Sequence, residues 1–282
     1  MNKSTQLREL LTSGETLVMP DAYDPISARI IEHAGFKAVQ CSGFSISIAA
    51  CYESEVDLNM DENVLATRKI AGSVNVPVMA DGEDGYGDTE TVQHTICEFI
   101  NAGAAGMNIE DLIPSRTGEC CIVDSELMVE KLLAAREAAV AEGNLDFIIN
   151  ARTDALRAFE TREDGLKEAI KRANRYLEAG ADLAFICYTA TLDEVKVLVK
   201  EINGPISIAA GQPYNIREFT IEDCRQLGVA RVSLPTLAIL SAVHGLSASI
   251  SLISKPDGFQ RIAEDALCCS PGDLAAFLRR TS

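Results

Sequence analysis

The chain has no cysteine or histidine cluster of zinc-binding spacing, no Gly-x-Gly-x-x-Gly, no membrane-length apolar run and a shortage of basic side chains. Each absence removes a class of function. Against 42 Asp and Glu stand 25 Lys and Arg, a formal net charge of −17, and such a surface repels both nucleic acid and anionic membranes. Neither is expected as a partner. The longest apolar stretches, such as 206–210, are far too short to span a bilayer. The start Met1-Asn2-Lys3-Ser4-Thr5 carries no apolar signal-peptide core, so a cytoplasmic protein is expected. Nine cysteines, an odd number that includes the neighbours Cys120-Cys121 and Cys268-Cys269, suit free thiols in a reducing compartment. The absence of a glycine fingerprint after a strand disfavours a dinucleotide fold. His33, His94 and His244 all fall in helical patterns and read as packing or surface residues, not ligands.

What is present is a repeat. An apolar-periodic helix ends at Ala34-Gly35, Ala102-Gly103, Ala179-Gly180 and Leu227-Gly228, each followed within a few residues by a short strand. Glycine just past a helix end takes the left-handed conformation that stops the helix. The spacing predicts eight strands, near 16–19, 38–42, 77–81, 106–110, 146–151, 183–187, 206–209 and 231–234. Helices are predicted over 89–102 with Asp88 as cap, 125–141, 165–179 and 192–202. Eight βα units in about 250 residues predict a (β/α)8 TIM barrel. The apolar helix near 238–253 and two further helical stretches exceed what a barrel needs. No linker divides the chain, so residues 1–282 are expected to form a single barrel domain with 238–282 as a C-terminal helical arm.

Active sites of such barrels lie at the C-terminal ends of the strands, and here those ends are acidic. Asp21 follows the first strand, Ser42-Gly43 the second, Asp81-Gly82-Glu83-Asp84 the third, Asn108 and Glu110-Asp111 the fourth, and Arg152-Thr153-Asp154 the fifth. Carboxylates crowded into a partly dry mouth repel one another and call for a cation. Oxygen-only ligands suit Mg²⁺, with Mn²⁺ also acceptable.

The segments 81–87, 102–111 and 151–155, with 20–24, 42–44 and 227–233, make the chain resemble the isocitrate lyase and phosphoenolpyruvate mutase superfamily. That resemblance implies Mg²⁺ held by Asp81, Glu83 and Glu110, directly or through water. It implies a small carboxylate substrate, an α-oxo or α-hydroxy acid, bound by Ser42, Gly43 and Phe44, with Tyr23, Asp81 and Asn108 beside it. Arg152 would neutralise substrate charge, and Asp57 would sit in a mobile acidic loop. Glu53 and Glu55 either line that loop or are solvated charges. The resemblance also implies a homo-oligomer, a dimer of dimers with the last barrel helix exchanged between subunits.

The chain departs from the lyase pattern in the loop after the fourth strand. Where lyases carry Lys-Lys/Arg-Cys-Gly-His, this chain has Arg116-Thr117-Gly118-Glu119. Thr117 takes the place of the acid cysteine, but an unperturbed alcohol is far too weak a proton donor. Glu119 and Cys120 are the neighbours that could take over that task. Glu near the end of the sixth strand and Asn near the end of the seventh, which in lyases hold a second carboxylate, are replaced by Ile186-Cys187-Tyr188 and Ala209-Ala210-Gly211-Gln212. Three readings remain. The first is a Mg²⁺-dependent lyase cleaving a C–C bond of a 2-hydroxy or 2-oxo di- or tricarboxylic acid to an α-oxo acid such as pyruvate. The second is a phosphonate enzyme acting on a P–C bond, and the third a catalytically silent metabolite-binding relative.

Overall fold

The computed structural model describes residues 2–212 and 214–279. Eight parallel strands close on themselves in sequence order: β1 Leu17–Ala22, β2 Val39–Cys41, β3 Val78–Asp81, β4 Gly106–Glu110, β5 Ile148–Thr153, β6 Leu183–Ile186, β7 Ile206–Ala209 and β8 Arg231–Leu234. Helices follow the strands on the outside, as a (β/α)8 TIM barrel requires. Gly35, Gly103, Gly180 and Gly228 all take positive φ, between 80 and 97°, at their helix ends, the stop signal read from the sequence.

Two strands differ from the reading by more than one residue at an end. β1 runs past Pro20 to Ala22, although proline lacks a ladder donor. The Asp21 carboxylate there accepts the Leu234 N–H of β8 at 2.8 Å. β5 starts at Ile148 because Asp146 is drawn away, accepting from Thr5 Oγ1 at 2.6 Å and pairing with Arg8. It continues through Arg152, beside Glu110 of β4. The helix read as 165–179 begins at Arg162, capped by Thr161, and Gly165 lies inside it where a Cβ would meet the Ala155 carbonyl at 2.9 Å.

The two ends of the barrel differ in chemistry. At the bottom, Leu17, Met19, Met79, Ile148 and Leu183 pack on Leu7 of the helix Lys3–Leu11, each buried side chain of this size contributing roughly 1.5–3 kcal/mol. Higher in the barrel the interior is polar. Arg231 of β8 is fully buried and donates to Ser207 Oγ at 2.7 Å and to Gln40 Oε1. Gln40 in turn donates to the carbonyls of Cys41 and Ala80, tying down the strand that leads into Ser42 and the one that ends in Asp81.

After β8 the helix Leu237–Ile253 buries only Ile239 and Leu252. The final helix Pro271–Leu278 returns to this chain's own helix Pro25–His33, with Phe277 edge-on to His33 at 5.2 Å. Among the described residues no helix is long and apolar enough to cross a membrane.

Candidate active site at the barrel mouth

Sterics at one glycine start the site. Asp81 ends β3, and Gly82 continues the ladder by donating to the Asn108 carbonyl at 3.0 Å. A Cβ at Gly82 would fall 2.5 Å from Met107 Sδ and 2.7 Å from Asn108 O, so only glycine passes so close to β4. Glu83 then adopts φ +50°, a left-handed conformation that costs a non-glycine residue about 1 kcal/mol or more. Its carbonyl accepts the Glu110 N–H at 2.8 Å.

A third carboxylate comes from another loop. Glu55 opens the single helical turn Glu55–Asp57 between β2 and β3, and one oxygen each from Glu55, Asp81 and Glu83 lie within 4.8 Å of one another. Asp81 Oδ1 and Glu83 Oε1 are buried and have no hydrogen-bond donor among the described residues. Asp81 Oδ2 accepts the Gly43 N–H at 3.1 Å. Burial, and then the charges of Asp81 and Glu55, hold the Glu83 carboxyl well above the usual carboxylate range. Burial and the Asp81 charge push Glu55 up to about 7. Acceptor oxygens without donors, converging in a dry mouth, are the donor set a hard divalent ion takes, so these residues fit Mg²⁺ or Mn²⁺.

Three sequence assignments change. Glu110, grouped with the ion-binding acids, lies outside the three-oxygen cluster, its Oε2 2.6 Å from Arg152 Nη1 and, like Asp81 Oδ1 and Glu83 Oε1, without a hydrogen-bond donor, while Glu55 joins Asp81 and Glu83. Burial still holds the Glu110 carboxyl well above its usual range, against the lowering effect of Arg152. Thr117 shares a hydrogen bond through its hydroxyl with Ser115 at 2.8 Å, and it does not line the cavity. Nor does Tyr23, which packs on the cluster of Ala22, Ile31 and Cys41 below the mouth.

The remaining assigned residues are positioned as follows. Ser42 caps the helix Gly43–Ala49, its hydroxyl accepting the Ser45 N–H. Asn108 lies beside Asp81 in register and accepts from Asn150 at 2.8 Å. Arg152 grips Asp154 in a two-pronged pair at 2.8 and 2.9 Å, which fixes its plane. Phe44, Glu119 and Cys120 line a cavity of about 670 Å³ together with Glu55, Glu83 and Glu110. Burial and the Asp154 charge raise the Cys120 thiol, so it stays protonated near neutral pH. Asp57 forms an ion pair with Arg116, joining the loop after β2 to the loop after β4.

Three residues of this mouth escape motif reading. Glu55 left only an ambiguous signal, an acid two positions before Asp57. Arg157 and Tyr188, which also line the cavity, belong to no motif, and nothing in the sequence says that they meet.

Comparison with known proteins agrees with this architecture. The family model described as phosphoenolpyruvate phosphomutase matches residues 7–253. The chain is 36% identical over 209 residues to 2,3-dimethylmalate lyase of Eubacterium barkeri, covering 72% of this chain and 70% of that one. It is 31% identical over 233 residues to 2-methylisocitrate lyase of Aeropyrum pernix, covering 81% and 72%. The crystal structure of a phosphonopyruvate hydrolase complex with oxalate and Mg²⁺ superposes with a TM-score of 0.86 at 30% identity, over 98% of this chain and 95% of that one.

Proposed function

This chain belongs to the phosphoenolpyruvate phosphomutase family, within the isocitrate lyase and phosphoenolpyruvate mutase superfamily, and from that premise we propose that it is a Mg²⁺-dependent lyase. Its substrate would be a small 2-hydroxy or 2-oxo di- or tricarboxylic acid, cleaved at a C–C bond to give an α-oxo acid such as pyruvate. The observation that carries this reading is the Glu55, Asp81 and Glu83 cluster with its donor-less buried oxygens.

When bound, the ion supplies chelation of the oxo acid and stabilisation of the oxyanion that develops during cleavage. The chain's own residues do the rest. The Gly43 N–H, which donates to Asp81 Oδ2, and the neighbouring Phe44 N–H lie at the start of a helix, beside the place where a substrate carboxylate would sit. Arg152, locked by Asp154 and Glu110, holds positive charge beside the oxyanion. Asp57 and the 115–121 loop close over the mouth through the Arg116 contact. Glu119 and Cys120 are the loop groups within the cavity that can hand a proton to the leaving carbanion.

The phosphonopyruvate hydrolase likeness, which extends over nearly the whole chain, favours a second reading in which the bond broken is P–C. The test is product detection by mass spectrometry in Mg²⁺ over methylisocitrate, 2,3-dimethylmalate, citramalate, oxaloacetate and phosphonopyruvate. Carbon-skeleton cleavage that disappears in Asp81→Ala supports the lyase. Phosphate or phosphoenolpyruvate from phosphonopyruvate alone moves the enzyme to the second reading, and silence across the panel with ligand binding intact leaves a binding protein.

The assembly is proposed on the same footing. Leu240, Val243, Leu246, Ile250 and Ile253 form an apolar stripe along helix Leu237–Ile253, with Leu246 66% exposed. A second copy of the chain would cover it.

A further inference from the structure

The cavity lined by Glu55 and Glu83 has one cation on its wall. Among the described residues lining it, Arg157 is the one basic side chain beside Glu55, Glu83, Asp84, Glu110 and Glu119; Arg152 and Lys131, which pair with Glu110 and Asp84, do not line it. Neighbouring arginines are already paired: Arg152 with Asp154 and Glu110, Arg116 with Asp57, Arg162 with Glu194. Among the described residues no carboxylate lies within ion-pair distance of Arg157, in a chain whose net charge is −17.

Arg157 is nevertheless held in place. Its Nη1 donates to Tyr188 Oη at 2.7 Å, and the guanidinium carbon sits 4.5 Å from the Tyr188 ring centroid. Tyr188 adopts φ +61°, a conformation that disfavours a bulky side chain. Two contacts keep it there. Arg162, itself clamped by Glu194, donates to the Tyr188 carbonyl at 2.6 Å, and Tyr214 packs edge-on against the ring at 5.4 Å. The strain and its bracing serve to present one phenol, and the phenol holds one unpaired guanidinium at the cavity wall.

The two functional walls come from different strands. The acids follow β2, β3 and β4, and Arg157 and Tyr188 follow β5 and β6. A substrate whose oxo-acid end sits at the acids would extend its far end toward this cation. We infer that Arg157, oriented by Tyr188, is a specificity-determining residue that binds a second acid group, a carboxylate or a phosphonate, at the far end of the substrate. This rests on the reading in the preceding subsection. It also accounts for a chain that lacks the Glu and Asn which lyases place after the sixth and seventh strands: an arginine after β5 does that work from another side.

The experiment is calorimetric titration in Mg²⁺ with three probes: oxalate, which has no distal acid, malate, with a distal carboxylate, and phosphonopyruvate, with a distal phosphonate. For Arg157→Gln, oxalate affinity stays within about twofold of wild type, while the preferred diacid weakens about 10- to 100-fold, the effect of losing one charge-assisted hydrogen bond. Which diacid loses affinity distinguishes carboxylate from phosphonate. Arg157→Lys restores part of the loss, and Tyr188→Phe, which keeps the ring and removes the anchoring hydroxyl, gives an intermediate loss for the diacid only. Equal effects on oxalate and diacids, no effect on either, or wild type binding oxalate but no diacid would each overturn the assignment. Wild type that fails to bind oxalate in Mg²⁺ would instead defeat the metal-centred reading beneath it, and this inference with it.

Discussion

Replacing Gly43 by alanine separates folding from ion binding. Gly43 is the first residue of the helix Gly43–Ala49 and is not among the positive-φ glycines, so alanine fits its backbone. The added methyl would stand 1.8 Å from Glu83 Oε1, 3.1 Å from Glu83 Cδ and 3.6 Å from Asp81 Oδ2. It must displace the end of a side chain, not the main chain, and alanine in a helix gains up to about 1 kcal/mol over glycine. For a chain of this size that is a rise of roughly 2–4 °C at most, so the ion-free melting temperature of Gly43→Ala should match or slightly exceed wild type. Ion binding should suffer, because Glu83 is forced out of the cluster. A 100-fold loss is the upper end of what displaced supporting groups cost a metal site, roughly 10- to 100-fold. At Mg²⁺ one hundred times the wild-type dissociation constant, wild type gains about 2.7 kcal/mol, whereas a variant weakened 100-fold gains only about 0.4 kcal/mol. In a thermal melt this is the difference between a shift of several degrees and one of about 1 °C. A Gly43→Ala protein with the full Mg²⁺-dependent shift would show that Glu83 is not part of the ion site.

The acid cluster also predicts a pH dependence. With Glu55 held at about 7, chiefly by burial and then by the Asp81 charge, Mg²⁺ must displace a proton below that pH. Affinity should fall by up to about tenfold per unit as pH drops through 7, with proton release visible as buffer-dependent heat; flat affinity between pH 6 and 8.5 would refute it. For the ion-free protein the sign is opposite. The folded carboxyl keeps its proton to higher pH than the unfolded one, so its contribution to stability is complete below about 4.5 and is lost as pH rises through about 7, which urea denaturation in chelator would measure. On the arm, Leu246→Glu should convert an assembly into a species near the 30.3 kDa chain mass in light scattering; wild type already running at that mass would rule out a second copy on the stripe.

The repeat was legible because it is local. A glycine after a helix and a β-branched run are neighbours in sequence, and β4, β7 and β8 start and end where those signals put them. β1 and β5 slipped because tertiary contacts override local signals: the Asp21 carboxylate bonded to Leu234 N–H extends one, and Arg8 and Thr5 drawing Asp146 away shortens the other. The site divides along the same line. Asp81 and Glu83 are visible as a motif because one strand and one turn carry both. Glu55 reaches them from a separate loop, and Arg157 reaches Tyr188 from the preceding βα unit, distances that no spacing rule encodes.

The same geometry explains why an acidic motif read from sequence overstates the ion site. Asp84 looks equivalent to Asp81, yet Lys131, buried on the helix Ser125–Ala141, donates to its carbonyl at 2.7 Å and lies 3.5 Å from its carboxylate. Asp111 looks equivalent to Glu110, yet Arg172 and the Tyr176 hydroxyl reach it at 3.1 and 2.8 Å. Asp154 is neutralised by Arg152. Each of these acids is paired by a basic side chain, in two cases from an outer helix, and holds its loop to the barrel. A buried carboxylate that keeps such a partner is structural, because leaving it unpaired would cost several kcal/mol. Among the described residues no cation is paired with Glu55, Asp81 or Glu83, and the three converge on one another instead. Folding tolerates that repulsion only as a cost, which protonation of Glu55 and Glu83 lowers and a divalent cation would remove.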